Sequence, residues 1–398
     1  MNTENFKYFM FSNPKNVPVD HVDFSPEGEV IWQFPDFPKL RVLRKVFQGG
    51  LSAGVEMFIL ENDAISISIL PTRGMGIWHV DVLSGEETVR VGWKSPVRFP
   101  VNPAYVPLEQ ADGLGWLRGF NELVARCGLE SNGAPEFSEN GILKYPLHGH
   151  IQNTPANELQ LEIDPEREEI RLTGYIDEGR LFFNALTLKS VVTIPFSGAS
   201  FKVDDTIINR SERSAELELL YHVNIGQPVA DDGARIEIPF KKQVPRCSWA
   251  AKNQKEYMKY HAPVVGEPEM CYFYELSADD AGNTQTFLHN PVGNFGIALA
   301  FNKNEFPYFC QWKAQHGAAD GYVTGMEPCI NFPNTRSFEQ KNGRVAVLNS
   351  GESRHFGLEF RFATDAQQVQ KEIEKVAELQ TFSPNPEIRT EPTLEWCE

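Results

Sequence analysis

Four short segments gather side chains able to move protons or hold an oxygen-rich ligand. They are Leu70-Pro71-Thr72-Arg73-Gly74-Met75-Gly76, Leu147-His148-Gly149-His150-Ile151-Gln152-Asn153, Tyr221-His222-Val223-Asn224-Ile225-Gly226 and Gly325-Met326-Glu327-Pro328-Cys329. A glutamate, with a reference pKa of about 4.3, is ionised at neutral pH, and a histidine, at about 6.5, keeps a useful fraction of its proton. Glu327, His222 and His148 therefore offer a base and acids. On an alternating strand His222 shares its face with Glu218 and Asn224, while Tyr221 and Val223 point to a core. In an extended chain His148, His150 and Gln152 share one side, a spacing that also suits a metal pair. Arg73 reads as a loop cation or a substrate clamp. Each type has an ordinary structural use as well, since most glutamates are solvated and many strand histidines only pack. Several signatures are absent: a GxGxxG opening a helix, a P-loop, HExxH and the GxSxG elbow.

The elements that must position these residues read mostly at period two. Ala64 to Ile69, Phe201 to Ile207, Ala215 to Ile225 and Phe356 to Phe362 alternate apolar and polar residues, as half-buried strands do. Further strand-sized stretches lie at 169–176, 185–194, 295–301 and 345–348. Turn clusters such as Asp231-Asp232-Gly233 and Ala281-Gly282-Asn283 separate them. Many short strands without a βαβ rhythm predict an all-β fold, a large antiparallel sandwich. One helix is expected where Thr364-Asp365 offers an N-cap and Val369, Ile373, Val376 and Leu379 recur at three and four residues. No linker divides the chain, so residues 1–398 read as one domain, with an N-terminal extension over about 1–50 and a tail over about 383–398.

Composition narrows the partners. Among 398 residues, 37 Lys and Arg stand against 54 Asp and Glu, a formal charge of −17. A surface of that sign repels phosphate backbones and anionic lipid, which excludes nucleic acid and membranes as expected partners. No window approaches the roughly 20 apolar residues of a membrane span. The N-terminal stretch lacks the basic and apolar regions of a signal peptide. Six scattered cysteines without a CxxC pair do not form a disulfide framework. A reduced, cytoplasmic setting is the expectation, and a homodimer is allowed.

Taken in order, the four segments resemble the galactose mutarotase (aldose 1-epimerase) family, and more closely its less characterised aldose-epimerase-like relatives. Leu147-His148-Gly149 matches the family's LHG element, and Tyr221 to Gly226 is similar to its NHxYxNL strand. Gly325 to Asn334 is similar to the LExQxxPDAxN element. Leu348-Asn349-Ser350-Gly351-Glu352-Ser353 through Phe362 resembles its closing PGExY strand pair. The resemblance runs from about Val55 to Phe362 and implies a β-supersandwich with a concave sugar cleft.

It further implies a cofactor-independent isomerase that interconverts sugar anomers by opening and reclosing the ring. Glu327 would be the base on the anomeric hydroxyl, His222 the acid at the ring oxygen, and His148 its assistant. Arg73 would clamp a hydroxyl, while His150, Asn153, Asn224 and Trp312 would line the cleft. Trp312 offers a face to a sugar ring, or serves the core. No metal, nucleotide or other cofactor is needed for such acid–base exchange. The family's substrate-binding aspartate has only Asp231 and Asp232 as loose counterparts. The Asp112 to Leu123 segment and Cys127-Gly128-Leu129 follow the less characterised branch, so galactose is not implied. Arg73, Arg118, Arg126 and Lys313 would suit an acidic or phosphorylated sugar if they faced the cleft, and would otherwise pair with carboxylates. Three other readings share the fold: a metal-dependent sugar isomerase using His148, His150, His222 and Glu327, a carbohydrate-binding module without turnover, and a lyase or hydrolase.

Overall fold

Residues that alternate in the sequence alternate in space. The computed structural model describes residues 6–10, 29–34 and 37–398, and the expected strands form at Ile65–Leu70, Ser200–Asn209, Ala215–Ile225 and Ser353–Ala363. So do Glu169–Gly179, Ala185–Pro195, Gly296–Asn302 and Ala346–Leu348. They assemble into a nine-stranded and a fourteen-stranded sheet. Leu161, Leu172, Leu188 and Val203 of the smaller sheet and Phe58, Ile67, Val80, Leu217 and Tyr221 of the larger belong to one core cluster. The two sheets thus pack face to face around shared apolar side chains, the sandwich solution for strands with one apolar face.

In the larger sheet, Val124–Leu129, Ala215–Ile225, Val323–Cys329, Tyr308–Ala314, Met270–Leu276 and Phe240–Pro245 lie side by side in that order. All five neighbouring pairs are antiparallel. Ala215–Ile225 is buried on both faces: Leu217, Leu219, Tyr221 and Val223 join the main core, while Leu220 joins a second cluster beneath Trp116 and Phe120. The polar positions Glu218, His222 and Asn224 are therefore interior, not the solvated edge that alternation alone suggests.

At the ends of the chain, Glu29–Phe34 and Phe37–Val46 extend one edge of the larger sheet, and Phe6–Met10 pairs with Glu158–Asp164 at the edge of the smaller. Glu387–Ile388 adds in parallel beside Phe240–Pro245. Trp396 is buried against Phe332, ring centroids 4.8 Å apart. The expected helix spans Ala366–Gln380, capped by Asp365, whose Oδ1 accepts from the Gln368 N–H at 2.8 Å. Val369 and Val376 bury its apolar stripe on Phe287 and Ala298 of the nine-stranded sheet. Among the described residues, no helix is long and apolar enough to cross a membrane.

Candidate functional site

The site is a line of side chains running across the larger sheet. The register Val223↔Met326 sets His222 and Glu327 directly opposite one another on neighbouring strands. Their facing atoms, His222 Nε2 and Glu327 Oε1, are 3.2 Å apart. On the next strands Trp312 pairs with Gly325, and Cys271 pairs with Trp312. Glu269 lies just before Met270–Leu276, and Arg246 just after Phe240–Pro245, its N–H bonded to the Cys271 carbonyl at 2.9 Å. These residues floor a cleft of about 630 Å³ whose walls include Trp93, Trp116, Phe120, Leu147 and His148. Gly325 makes room for the acid: a Cβ there would collide with Glu327 Oε1.

Each imidazole has its Nδ1 tied down. The amide of Asn224 donates to the carbonyls of Glu122 and His222, both at 3.0 Å, so its Oδ1 must face His222 Nδ1. Nδ1 consequently carries the hydrogen, and in the neutral ring Nε2 is a bare acceptor. His148 Nδ1 sits 2.7 Å from the Asn132 carbonyl, which only accepts, so the same tautomer follows. The two rings stand 5.5 Å apart at 79°, with Trp116 4.7 Å from His148 and 6.3 Å from His222.

Burial sets the protonation states. Loss of water pushes His148 down to about 4, against the pull of its bond to Asn132, and the charge of Arg246 adds to the fall. His222 is pushed down to about 3, first by burial and then by His148, with the Asn224 bond opposing. Burial also raises Glu327 well above the carboxylate range; Glu269 adds to this and Arg246 counters it. Glu327 is only 3 % exposed, and among the described residues the one polar group facing its Oε1 is His222 Nε2 at 3.2 Å, which does not align as a full hydrogen bond.

The structure brings together Glu327, His222, His148 and Trp312, with Asn224 behind His222 as its orienter. It does not bring Arg73 to the cleft. That guanidinium is buried beneath the wall, donating to Glu122 Oε1 and the Gly119 carbonyl at 2.7 Å each and to Asn153 Oδ1. Asn153 is thereby a partner of Arg73 and not a cleft residue. Nor is 147–152 a strand: His148 and Gly149 adopt positive φ of 58° and 69°, and Ile151–Asn153 is a 3-10 turn. His150 is turned away, with Nε2 3.2 Å from Glu109 Oε1. The four would-be metal ligands are therefore divided. Among the described residues, no group of three or more His, Cys, Asp or Glu is arranged to hold an ion.

The other cations are engaged elsewhere. Arg126 pairs with Asp205 in the core, Lys313 donates to the carbonyls of Glu256 and Lys259, and Arg118 donates to Gln110. Asp231 accepts from Gln227 and lines a separate groove. Sequence reasoning missed Arg246, Glu269, Trp93, Trp116 and Phe120 as cleft residues. Trp116 and Phe120 carried a signal, since they lie in the Gly-rich segment after Asp112. Arg246 and Glu269 have no motif and meet only because their strands pair.

No curated protein matches the chain by sequence. Solved structures do resemble it. A protein named as a "putative aldose 1-epimerase" from Klebsiella pneumoniae superposes with a TM-score of 0.88 at 28% identity, covering 98% of this chain and 99% of that one. A galactose mutarotase-like protein from Clostridium acetobutylicum gives a TM-score of 0.57 at 15% identity over 81% and 98% of the two chains. A galactose 1-epimerase from Lactobacillus acidophilus gives 0.52 at 12%, again over 81% and 98%. The fold is thus the galactose mutarotase-like sandwich that the motifs implied. The family described as "Domain of unknown function (DUF4432)" matches residues 52–362, most of the chain, and the chain belongs to that family.

Proposed function

We propose that the chain is an aldose 1-epimerase-like isomerase that exchanges the anomers of a sugar by acid–base catalysis in this cleft. The observation that carries the reading is the 3.2 Å approach of a buried carboxyl to an imidazole whose other nitrogen is fixed, with a second such imidazole beside it. Ring opening needs a proton removed from O1 while another is given to O5, after which the C1–O5 bond breaks. Rotation about C1–C2 and reclosure invert the anomer. Positioned general acids and bases each contribute about 10²–10⁴-fold to such steps.

Glu327 and His222 share one mobile proton, and the reaction uses both of its positions. With Glu327 ionised and His222 protonated, the carboxylate takes the O1 proton and the imidazolium gives its own to O5. The pair then stands as neutral acid and neutral imidazole beside the open chain. Burial favours this second arrangement, so the resting site matches the open-chain intermediate better than the closed ring. Arg246 favours the ionised form of Glu327 and keeps the first arrangement within reach.

The test is anomer exchange followed by NMR over a panel of aldoses and uronates. Glu327→Gln and His222→Asn are each expected to slow exchange by about 10² or more, with circular dichroism unchanged. Equal rates in wild type and both variants would refute the assignment.

A further inference from the structure

We infer that a groove bordering the acid–base cleft holds a second saccharide unit carrying an anionic group, so that the substrate is the reducing end of an acidic disaccharide or longer chain. The inference rests on the reading above for the position of the reducing unit.

The groove has a volume of about 800 Å³ and shares Trp93, Ser95 and Val97 with the cleft. The two cavities therefore meet along one segment, and that segment is pinned to the cleft wall. The Trp93 indole N–H donates to the Glu122 carbonyl at 3.1 Å, the Ser95 hydroxyl to the Phe120 carbonyl at 2.7 Å, and the Asn121 amide to the Val97 carbonyl at 3.1 Å. Two successive ring contacts lead from the groove to the acid–base pair: Trp93 to Phe120 at 4.8 Å, and Phe120 to His222 at 5.1 Å. Two linked pyranoses match that span, one at Glu327 and His222 and the next beyond Trp93.

The lining suits a sugar. Trp78 and Trp93 are half-buried, and each leaves part of an indole open to a ring face. Asn121 borders the groove at 3 % exposure, and among the described residues its Oδ1 accepts no hydrogen bond. A hydroxyl supplies the missing donor.

Charge sets the second unit apart from the first. Of the groove's basic side chains, Arg90 is held by Asp81 through two bonds of 2.7 Å. His79 is uncharged, pushed down to about 4 by burial and then by Arg90, with Asp81 opposing. Lys94 and Arg98 are exposed, and among the described residues neither forms an ion pair; Arg98 only lies over the Phe99 ring, 5.9 Å from its centroid. The one carboxylate lining the groove, Asp231, already accepts from the Gln227 amide at 2.8 Å. In the cleft the balance is reversed, with Arg246 against Glu269, Asp320 and Glu327. The chain's −17 acts weakly here, because exposed charges beyond about 8 Å are screened at physiological salt. An anionic group is thus unwelcome on the reducing unit and finds two free cations on the next one.

Calorimetric titration reads this preference without turnover. The probes are cellobiose, maltose, their counterparts with glucuronate as the non-reducing unit, and free glucuronate. For one linkage the acidic disaccharide is expected to bind about tenfold or more tighter than its neutral counterpart and than glucuronate. Raising NaCl from about 50 to about 300 mM should erode that advantage. Combining Lys94→Gln with Arg98→Gln changes two exposed side chains, and thermal unfolding confirms that the variant is folded. In it the Kd of the acidic disaccharide should rise to that of the neutral one, and in exchange assays the loss should fall on KM. Neutral and acidic disaccharides binding alike at both linkages, a preference that survives in the double variant, glucuronate binding as tightly as the acidic disaccharide, or no binding by any probe overturns the proposal. A charge-dependent preference without anomer exchange supports the groove and sinks the catalytic reading alone.

Discussion

At the scale of single residues the site is a matter of where one proton rests. His148 and His222 lose their charge to burial, at about 4 and about 3, and Glu327 keeps its proton far above the ordinary range. As pH falls through 4 to 3 both imidazoles protonate and the pair has no acceptor left. As pH rises through the raised value of Glu327 the pair loses its only proton. The exchange rate, measured by saturation-transfer NMR with the uncatalysed rate subtracted, is therefore expected to hold its plateau down to about pH 4. Half-loss near 6.5 would mean that the imidazoles titrate as solvated groups. Gly325 tests the same geometry from the carboxyl side, since its missing Cβ is the space Glu327 Oε1 occupies. Gly325→Ala should displace the carboxyl and cut kcat about tenfold or more, with KM less affected. An unchanged kcat would show that the carboxyl's position does not matter.

At the scale of elements, His148 depends on a turn and not on a strand. Its Nδ1 bonds to the Asn132 carbonyl, and the Asn132 N–H donates to Glu218 Oε2 at 3.0 Å. Glu218, raised by burial to about 8, sits on the same strand as His222. Both histidines are thus referred to Ala215–Ile225, one directly and one through a loop. Gly149 closes that loop at φ 69°, where a Cβ would strike the carbonyls of Ser131 and Gly128. Gly149→Ala is expected to cost about 2 kcal/mol or more of stability, read as a lower urea midpoint, and to slow exchange. A variant as stable and as fast as wild type would show that the turn is not what aims the ring.

This turn also marks the limit of what the sequence reveals. Period-two alternation located the strands because one face of each is core, and the Asp365 cap with its apolar stripe located the helix. The same alternation misled at His148, where Gly149 and the loop's hydrogen bonds override the extended form. Arg73 stayed open between two uses, because a Pro- and Gly-flanked arginine looks alike whether it meets a ligand or a buried Glu122; the structure shows the second. Arg246 and Glu269 were invisible for another reason: their meeting is a fact of strand pairing, which no local pattern records.

At the scale of the molecule the two sheets are joined by charge as well as by apolar contact. Arg126, on the larger sheet, and Asp205, on the smaller, are both fully buried and paired. Arg126 also donates to Ser190 Oγ at 2.8 Å and to the carbonyls of Gly74 and Met75 at 3.0 and 2.9 Å, and Tyr221 donates to Asp205. The carbonyls belong to the turn after Arg73, whose side chain holds Gly119 and Glu122 behind the cleft wall. A chain of polar contacts therefore runs from the centre of the sandwich to the wall that carries Trp116 and Phe120. Breaking a buried pair from one side leaves an uncompensated charge, which typically costs about 3–5 kcal/mol, whereas replacing both partners with apolar residues of similar volume is often neutral. Asp205→Leu alone should accordingly lower the urea midpoint steeply, while Arg126→Met with Asp205→Leu should recover most of the loss. Anomer exchange separates the two uses of the pair. If Arg126 also positions the wall through Gly74 and Met75, the double variant regains stability but stays slow, and full recovery of both would confine the pair to holding the sheets together.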